Sequence, residues 1–132
     1  MSRNPVSLVI VSHSQLVAEG VADMAKQIVS DIVPVSWTGG TIDGQLGCDS
    51  LAIKDAINLV WSADGVAIFV DMGSTELNSE VAIDLLPTEK AKSVRIMDAP
   101  LVEGVIVASY KAKTGATLDQ IEQAVHELNH IG

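Results

Sequence analysis

The stretch V-S-L-V-I-V-S-H-S, residues 6–14, decides the fold. Val6 to Val11 form a near-continuous apolar run, the signature of a parallel strand buried on both faces. Helical periodicity begins directly behind it, with Val17, Val21, Met24 and Ile28 spaced to share one face. A strand that feeds a helix in this way opens a βα unit. Ser12, His13 and Ser14 then stand at the carboxyl edge of the sheet, where open α/β folds place their ligands. Small hydroxyl neighbours leave the imidazole accessible.

Outward from that stretch the pattern alternates. A short second strand is expected around 33–38, followed by a Gly-rich loop through Gly39, Gly40, Gly44 and Gly47. Asp49 or Ser50 can cap a second helix that buries Ile53, Ile57 and Val60. Strand three is Val66–Val70 and ends in Asp71. Ser74 or Thr75 caps a third helix with Leu77, Val81 and Leu85 inward, and Pro87 helps to end it. Strand four spans Val94–Met97. Pro100 precedes a helix over Val102–Lys113, Gly115 stops it, and Thr117 starts a last helix striped by Leu118, Ile121, Val125 and Leu128. This βαβα order implies a parallel sheet with helices on both faces. Crossovers are right-handed, so helices that leave in opposite directions create a crevice. If strands one and three are neighbours, that crevice lies between Ser12–Ser14 and Asp71–Thr75.

Composition narrows the functional classes. The 132 residues suit one domain, 1–132, and the 48% hydrophobic content excludes disorder. Aromatics at 3% require an aliphatic core. A net charge of −9 argues against nucleic acid and against anionic membrane surfaces, while it permits a basic protein partner. No apolar run approaches the ~20 residues of a membrane span, and no signal peptide opens the chain. Cys48 is the single cysteine and has no internal partner. These features together point to a cytoplasmic protein.

The chemistry centres on His13. An imidazole with an ordinary pKa near ~6.5 is mostly an uncharged nucleophile at neutral pH. To attack through one ring nitrogen, the other is best held as a donor by a carboxylate or carbonyl. Asp71, at the end of strand three, is the candidate. Met72, Gly73 and Ser74 lead from it into a helix, whose first turn offers unpaired N–H groups and partial positive charge. One sheet edge thus carries a nucleophile, an orienting acid and an anion cradle, the parts needed to hold a phosphoryl group on a histidine.

V-I-V-S-H-S at 9–14, D-M-G-S at 71–74 and A-P-L-V-E-G at 99–104 resemble the DhaM family, phosphoryl-donor subunits of the bacterial phosphoenolpyruvate-dependent dihydroxyacetone kinase. The likeness covers the whole chain. It implies the mannose-type IIA fold of the phosphotransferase system: α/β, with an open, mainly parallel four-stranded sheet in order 2-1-3-4 and helices on both faces. His13 would accept phosphate from the phosphocarrier HPr on Nε2. It would pass it to ADP on the kinase's nucleotide-binding subunit, for delivery to dihydroxyacetone on another subunit. Asp71 would orient the ring, and Met72, Gly73 and Ser74 would surround the phosphate. Ser12, Ser14, Gly40, Pro100 and Leu101 would border the crevice. A homodimer is implied, with no metal and no cofactor on this subunit. Sugar-transport relatives usually show Trp-Gly-Gly after the matching acid, where Met72-Gly73 stands here. Relatives usually show Gly-Thr where Gly47-Cys48 stands.

Other features have plainer readings. His126 and His130 are an i, i+4 pair without an evident third ligand, and late-helix histidines suit the helix dipole. Cys48 reads as a small residue at a helix start, where a thiolate could be stabilised. Trp37 and Trp61 read as packing or interface residues, and Glu103 as a helix-start carboxylate near the crevice. Two rival functions remain. One is a sugar-transport IIA domain that delivers phosphate to a IIB partner. The other is a non-catalytic module that binds an anion or partner at the same edge.

Overall fold

The computed structural model describes residues 5–130. Four strands form one all-parallel sheet: β1 (Ser7–Ser12), β2 (Val35–Gly39), β3 (Val66–Val70) and β4 (Val94–Ile96), in the order β2-β1-β3-β4. The expected order 2-1-3-4 is therefore the observed one. Helices α1 (Gln15–Val29), α5 (Leu101–Lys113) and α6 (Leu118–His126) cover one face. Helices α2 (Ser50–Val60) and α3 (Gly73–Asp84) cover the other. A single turn, α4 (Thr88–Ala91), follows Pro87, and a 3-10 turn (Glu127–His130) follows α6. Neither was expected.

Strand pleating divides the core. Leu8 and Ile10 of β1 join Ala67 and Phe69 of β3 against α1, α5 and α6. Val9 and Val11 join Val66 and Ile68 against α2 and α3. Side chains alternate across a strand, so a strand covered on both faces needs apolar residues at nearly every position. Full burial of one such aliphatic side chain contributes about 1.5–3 kcal/mol. Gly104 lets α5 lie close to the sheet: a Cβ there would stand 3.1 Å from the Ala99 side chain and 3.3 Å from the Phe69 ring.

Two helices are rotated from their expected settings. On α1 the buried face is Ala18, Val21, Ala22, Ala25 and Val29, while Val17 and Met24 are exposed. Alanines let the helix approach the sheet closely, and that close approach outweighs the pull of the larger side chains. On α3 the buried face is Thr75, Ser79 and Ala82, whereas Leu77, Val81 and Leu85 are 65%, 47% and 47% exposed. Thr75 reaches back to the end of β3, and that contact fixes the rotation of the helix and turns the leucine–valine stripe outward. The edge strand β4 stops at Ile96, one residue early, although Met97 N–H still donates to the Ile68 carbonyl.

Candidate active site

β1 and β3 are direct neighbours, so their exits meet at the carboxyl edge of the sheet. His13 Nδ1 lies 2.9 Å from Asp71 Oδ2. A carboxylate only accepts, so the hydrogen sits on Nδ1. That tautomer leaves the Nε2 lone pair for chemistry. The ring is 25% exposed and the carboxylate 15%, close enough to the surface for a partner protein to reach.

Asp71 is held from several sides. Ser12 Oγ, fully buried, donates to the same Oδ2 at 2.5 Å and accepts from Ser14 N–H at 3.0 Å. Thr75 Oγ1 lies 3.2 Å from Oδ1. Partial burial alone would raise the carboxyl's pKa. The hydrogen bonds from Ser12 and His13, the charge of His13 and the contact with Thr75 outweigh it and hold the group below its ordinary value. The acid is therefore a carboxylate throughout the neutral range.

The loop after Asp71 differs from its expected capping. Helix α3 begins at Gly73, with Met72 in the N-cap position and no side-chain cap from Ser74. Thr75, at the third helical position, does the capping in reverse. Its hydroxyl accepts from Asp71 N–H at 3.3 Å and Met72 N–H at 3.1 Å, and it lies 2.6 Å from the Met72 carbonyl. The N–H groups of Gly73 and Ser74 have no hydrogen-bond partner among the described residues. Orphan donors at a helix start are an anion site in waiting. A Cβ at Gly73 would meet nothing within 4 Å, so the space above the loop is open.

The remaining expected crevice residues fare differently. Ser12 is a buried brace under Asp71 and lines no crevice. The serine side chain turns down from the strand end toward the carboxylate, away from solvent. Ser14 caps α1 by accepting from Val17 N–H at 3.3 Å. Gly40, at φ +76°, is a turn residue against Gln15. Pro100 is the N-cap of α5, and Leu101 packs against the core on the α1 face. A cleft of about 290 Å³ does adjoin Asp71, but it runs between the β3 and β4 exits. Met72, Gly73, Glu76, Met97 and Asp98 line it, and Pro100 and Leu101 stand outside. At Cys48 a stabilised thiolate does not arise: burial, with the Asp71 and Asp49 charges, pushes its thiol up despite a hydrogen bond from Asn78. His126 pairs with Asp98 at 3.4 Å.

A family model described as the PTS system fructose IIA component, EIIA-man, matches residues 7–122. The chain belongs to the EIIA-man family. Within it, the sequence is 40% identical over 118 residues to the PEP-dependent dihydroxyacetone kinase 2 phosphoryl donor subunit DhaM of Listeria innocua, covering 89% of this chain and 94% of that one. It is 42% identical over 127 residues to DhaM of Escherichia coli, covering 93% of this chain and 27% of that longer protein. This EIIA-man chain thus spans about a quarter of the Escherichia coli protein's length and falls in the DhaM branch. Among solved structures, the protein of unknown function EF1359 superposes with a TM-score of 0.82 at 35% identity over 93% of this chain and 94% of that one.

In this EIIA-man domain three residues have roles that the sequence pattern does not reveal. By its position Thr75 reads only as an alternative N-cap. Gly39 is required sterically, because a Cβ there would meet the carbonyl oxygens of Ser12 and Ser14 at 2.7 and 2.8 Å; its one signal was the Gly39-Gly40 pair. Asn78 left no signal, since two of its partners, Cys48 in the turn before α2 and Ser50 at the start of α2, are distant in the chain. No helix among the described residues is long and apolar enough to cross a membrane.

Proposed function

We propose that this protein is the phosphoryl-donor subunit of a phosphoenolpyruvate-dependent dihydroxyacetone kinase, working through a phosphohistidine at His13. The observation that carries the reading is the 2.9 Å contact between His13 Nδ1 and Asp71 Oδ2, beside the orphan N–H groups of Gly73 and Ser74. In the first step the Nε2 lone pair attacks the phosphorus of phosphorylated HPr. The new N–P bond forms as the donor's N–P bond breaks, and the donor ring keeps that electron pair. The phosphorylated imidazole keeps its Nδ1 hydrogen and gains positive charge, which the Asp71 carboxylate offsets. Gly73 and Ser74 N–H groups donate to the phosphoryl oxygens.

In the second step a terminal phosphate oxygen of ADP, held on the kinase's nucleotide-binding subunit, attacks the phosphorus. The His13 N–P bond breaks and its electrons return to Nε2. No proton needs to leave Nδ1 in either direction, so catalysis is positioning and charge stabilisation. The resulting ATP serves the dihydroxyacetone-binding subunit. The cleft beside Asp71 is lined by Glu76 and Asp98 and by no basic residue. A homodimer and a cytoplasmic setting belong to the same reading, supported by the DhaM likeness. A single 13.9 kDa species in sedimentation equilibrium would remove the dimer.

Incubation with phosphoenolpyruvate, enzyme I and HPr, read by intact mass, tests the core of it. One phosphate is expected, lost in mild acid and kept in base. His13→Ala should abolish uptake with the fold intact, and a variant that still labels overturns the assignment. Asp71→Ala should slow transfer by roughly a hundredfold or more, the scale of a lost preorganised electrostatic partner. Unchanged kinetics would remove its role. The family model's fructose IIA description favours one alternative acceptor, a IIB domain. Mixing the phosphorylated protein with kinase subunits, and separately with IIB, distinguishes the two.

A further inference from the structure

Asn78 lies on α3 one turn beyond Ser74, outside the ring–acid pair and outside the loop that follows Asp71. Both hydrogens of its Nδ2 and its Oδ1 are engaged. Nδ2 donates to the Ser74 carbonyl at 2.9 Å and to Cys48 Sγ at 3.1 Å, and Oδ1 accepts from Ser50 Oγ at 2.8 Å. Turning the amide over would set Oδ1 against the Ser74 carbonyl, so the network itself fixes which atom is which. Asparagine is a poor helix former, and here it stands inside α3. A local cost of that kind is expected where a residue serves a tertiary purpose.

The partners of Asn78 come from different segments. Ser74 is in the first turn of α3, Ser50 begins α2, and Cys48 sits in the turn before α2. Cys48 Sγ also faces the Ser74 carbonyl at 3.6 Å. In the same turn, Gly47 N–H donates to the His13 carbonyl at 2.8 Å. A closed circuit results. It runs from the His13 ring to Asp71, along Met72 and Gly73 to Ser74, through Asn78 to Cys48 and Gly47, and back to the His13 backbone.

We infer that Asn78 is a positioning residue for phosphoryl transfer: it holds the Gly73 and Ser74 N–H groups at a set distance from His13 by tying the first turn of α3 to the turn whose Gly47 N–H donates to the His13 carbonyl. This inference rests on the phosphohistidine reading. Without the tie, α3 keeps its attachment to Asp71 through Thr75, but its first turn is left with the longer 3.6 Å contact from Cys48 Sγ to the Ser74 carbonyl on the other side of the site. Misplacement by about 1 Å costs up to ~100-fold in rate.

The test uses the full chain, Asn78→Asp, Asn78→Ala and Ser50→Ala, with initial rates of phosphate uptake measured against HPr concentration. Asn78→Asp keeps the size of the side chain and the acceptor for Ser50, but sets a carboxylate oxygen against the Ser74 carbonyl. If Asn78→Ala fails to melt cooperatively, Asn78→Asp carries the test. The expected result is label confined to His13, KM for HPr within about twofold of the parent, and kcat lowered about tenfold or more in both Asn78 variants. Ser50→Ala, which spares the Ser74 tie, should stay within about twofold. Parent kcat in Asn78→Asp overturns the inference. So does a loss that only tracks the fraction of folded molecules, the mark of a structural role. If the parent takes no label on His13, the phosphohistidine reading falls and the inference with it. If the parent labels and the Asn78 variants match it, only the positioning role falls.

Discussion

Asp71 Oδ2 accepts from two donors at once, the Ser12 hydroxyl and the His13 ring. Sharing one oxygen in this way lowers the basicity of the acid, so it orients the imidazole without taking its proton. The consequence is linked to pH. Asp71 has a folded-state pKa below its unfolded one, so its contribution to stability is present above the unfolded value of about 3.9 and is lost as pH falls through the folded value. Ser12→Ala removes part of that contribution. At pH 7 it should cost about 1.5–3 kcal/mol in urea unfolding, the usual worth of a hydrogen bond to a charged group. At low pH, where Asp71 is protonated, the gap should narrow. A gap that stays constant across this range would show that the Ser12 hydroxyl has no bearing on the charged form. The sequence showed Ser12 beside His13. That its side chain points down to an acid 59 positions away is a tertiary fact.

Helix α3 shows how an element can be read correctly in place and wrongly in rotation. Its place after Asp71 followed from the pattern, though it begins at Gly73, earlier than a cap at Ser74 or Thr75 implies. Leu77, Val81 and Leu85 share one face at helical spacing, which periodicity alone assigns to the core. The helix instead buries Thr75, Ser79 and Ala82. The deciding contact is polar: the Thr75 hydroxyl satisfies two backbone N–H groups at the end of β3, and an unpaired buried donor costs about 1–3 kcal/mol. Leu77→Gln should therefore change stability by no more than about 0.5 kcal/mol, as expected at an exposed site. Ile57→Ala on α2, fully buried, should cost about 2–5 kcal/mol. Parallel denaturant titrations check the contrast, and a Leu77 variant as damaging as the Ile57 one would show the stripe to be covered. Helix α1 tells the same story through alanines, whose small size permits close approach but gives little weight in a hydrophobic pattern.

At the scale of the molecule, charge and topology decide how the site is approached. The chain carries a net charge of −9, and the cleft next to Asp71 holds Glu76 and Asp98. A donor protein with a basic face would be steered toward this edge, and salt screens such steering. In the proposed relay, kcat/KM for uptake from HPr should fall severalfold between low and high ionic strength while kcat moves little. A rate indifferent to salt would rule out electrostatic docking. The sequence by itself determined the βα alternation, a mainly parallel sheet, and the identity of His13 and Asp71 as residues at strand exits. Each of these follows from local periodicity and from which side chains a buried strand can hold. The order 2-1-3-4, which sets β1 beside β3, followed from the family resemblance; only the tertiary structure decided that Ser12 and Thr75 brace the acid and that Asn78 ties two helix starts together. Those contacts join residues separated in the chain, and their strength depends on distances of about 3 Å that no local pattern encodes.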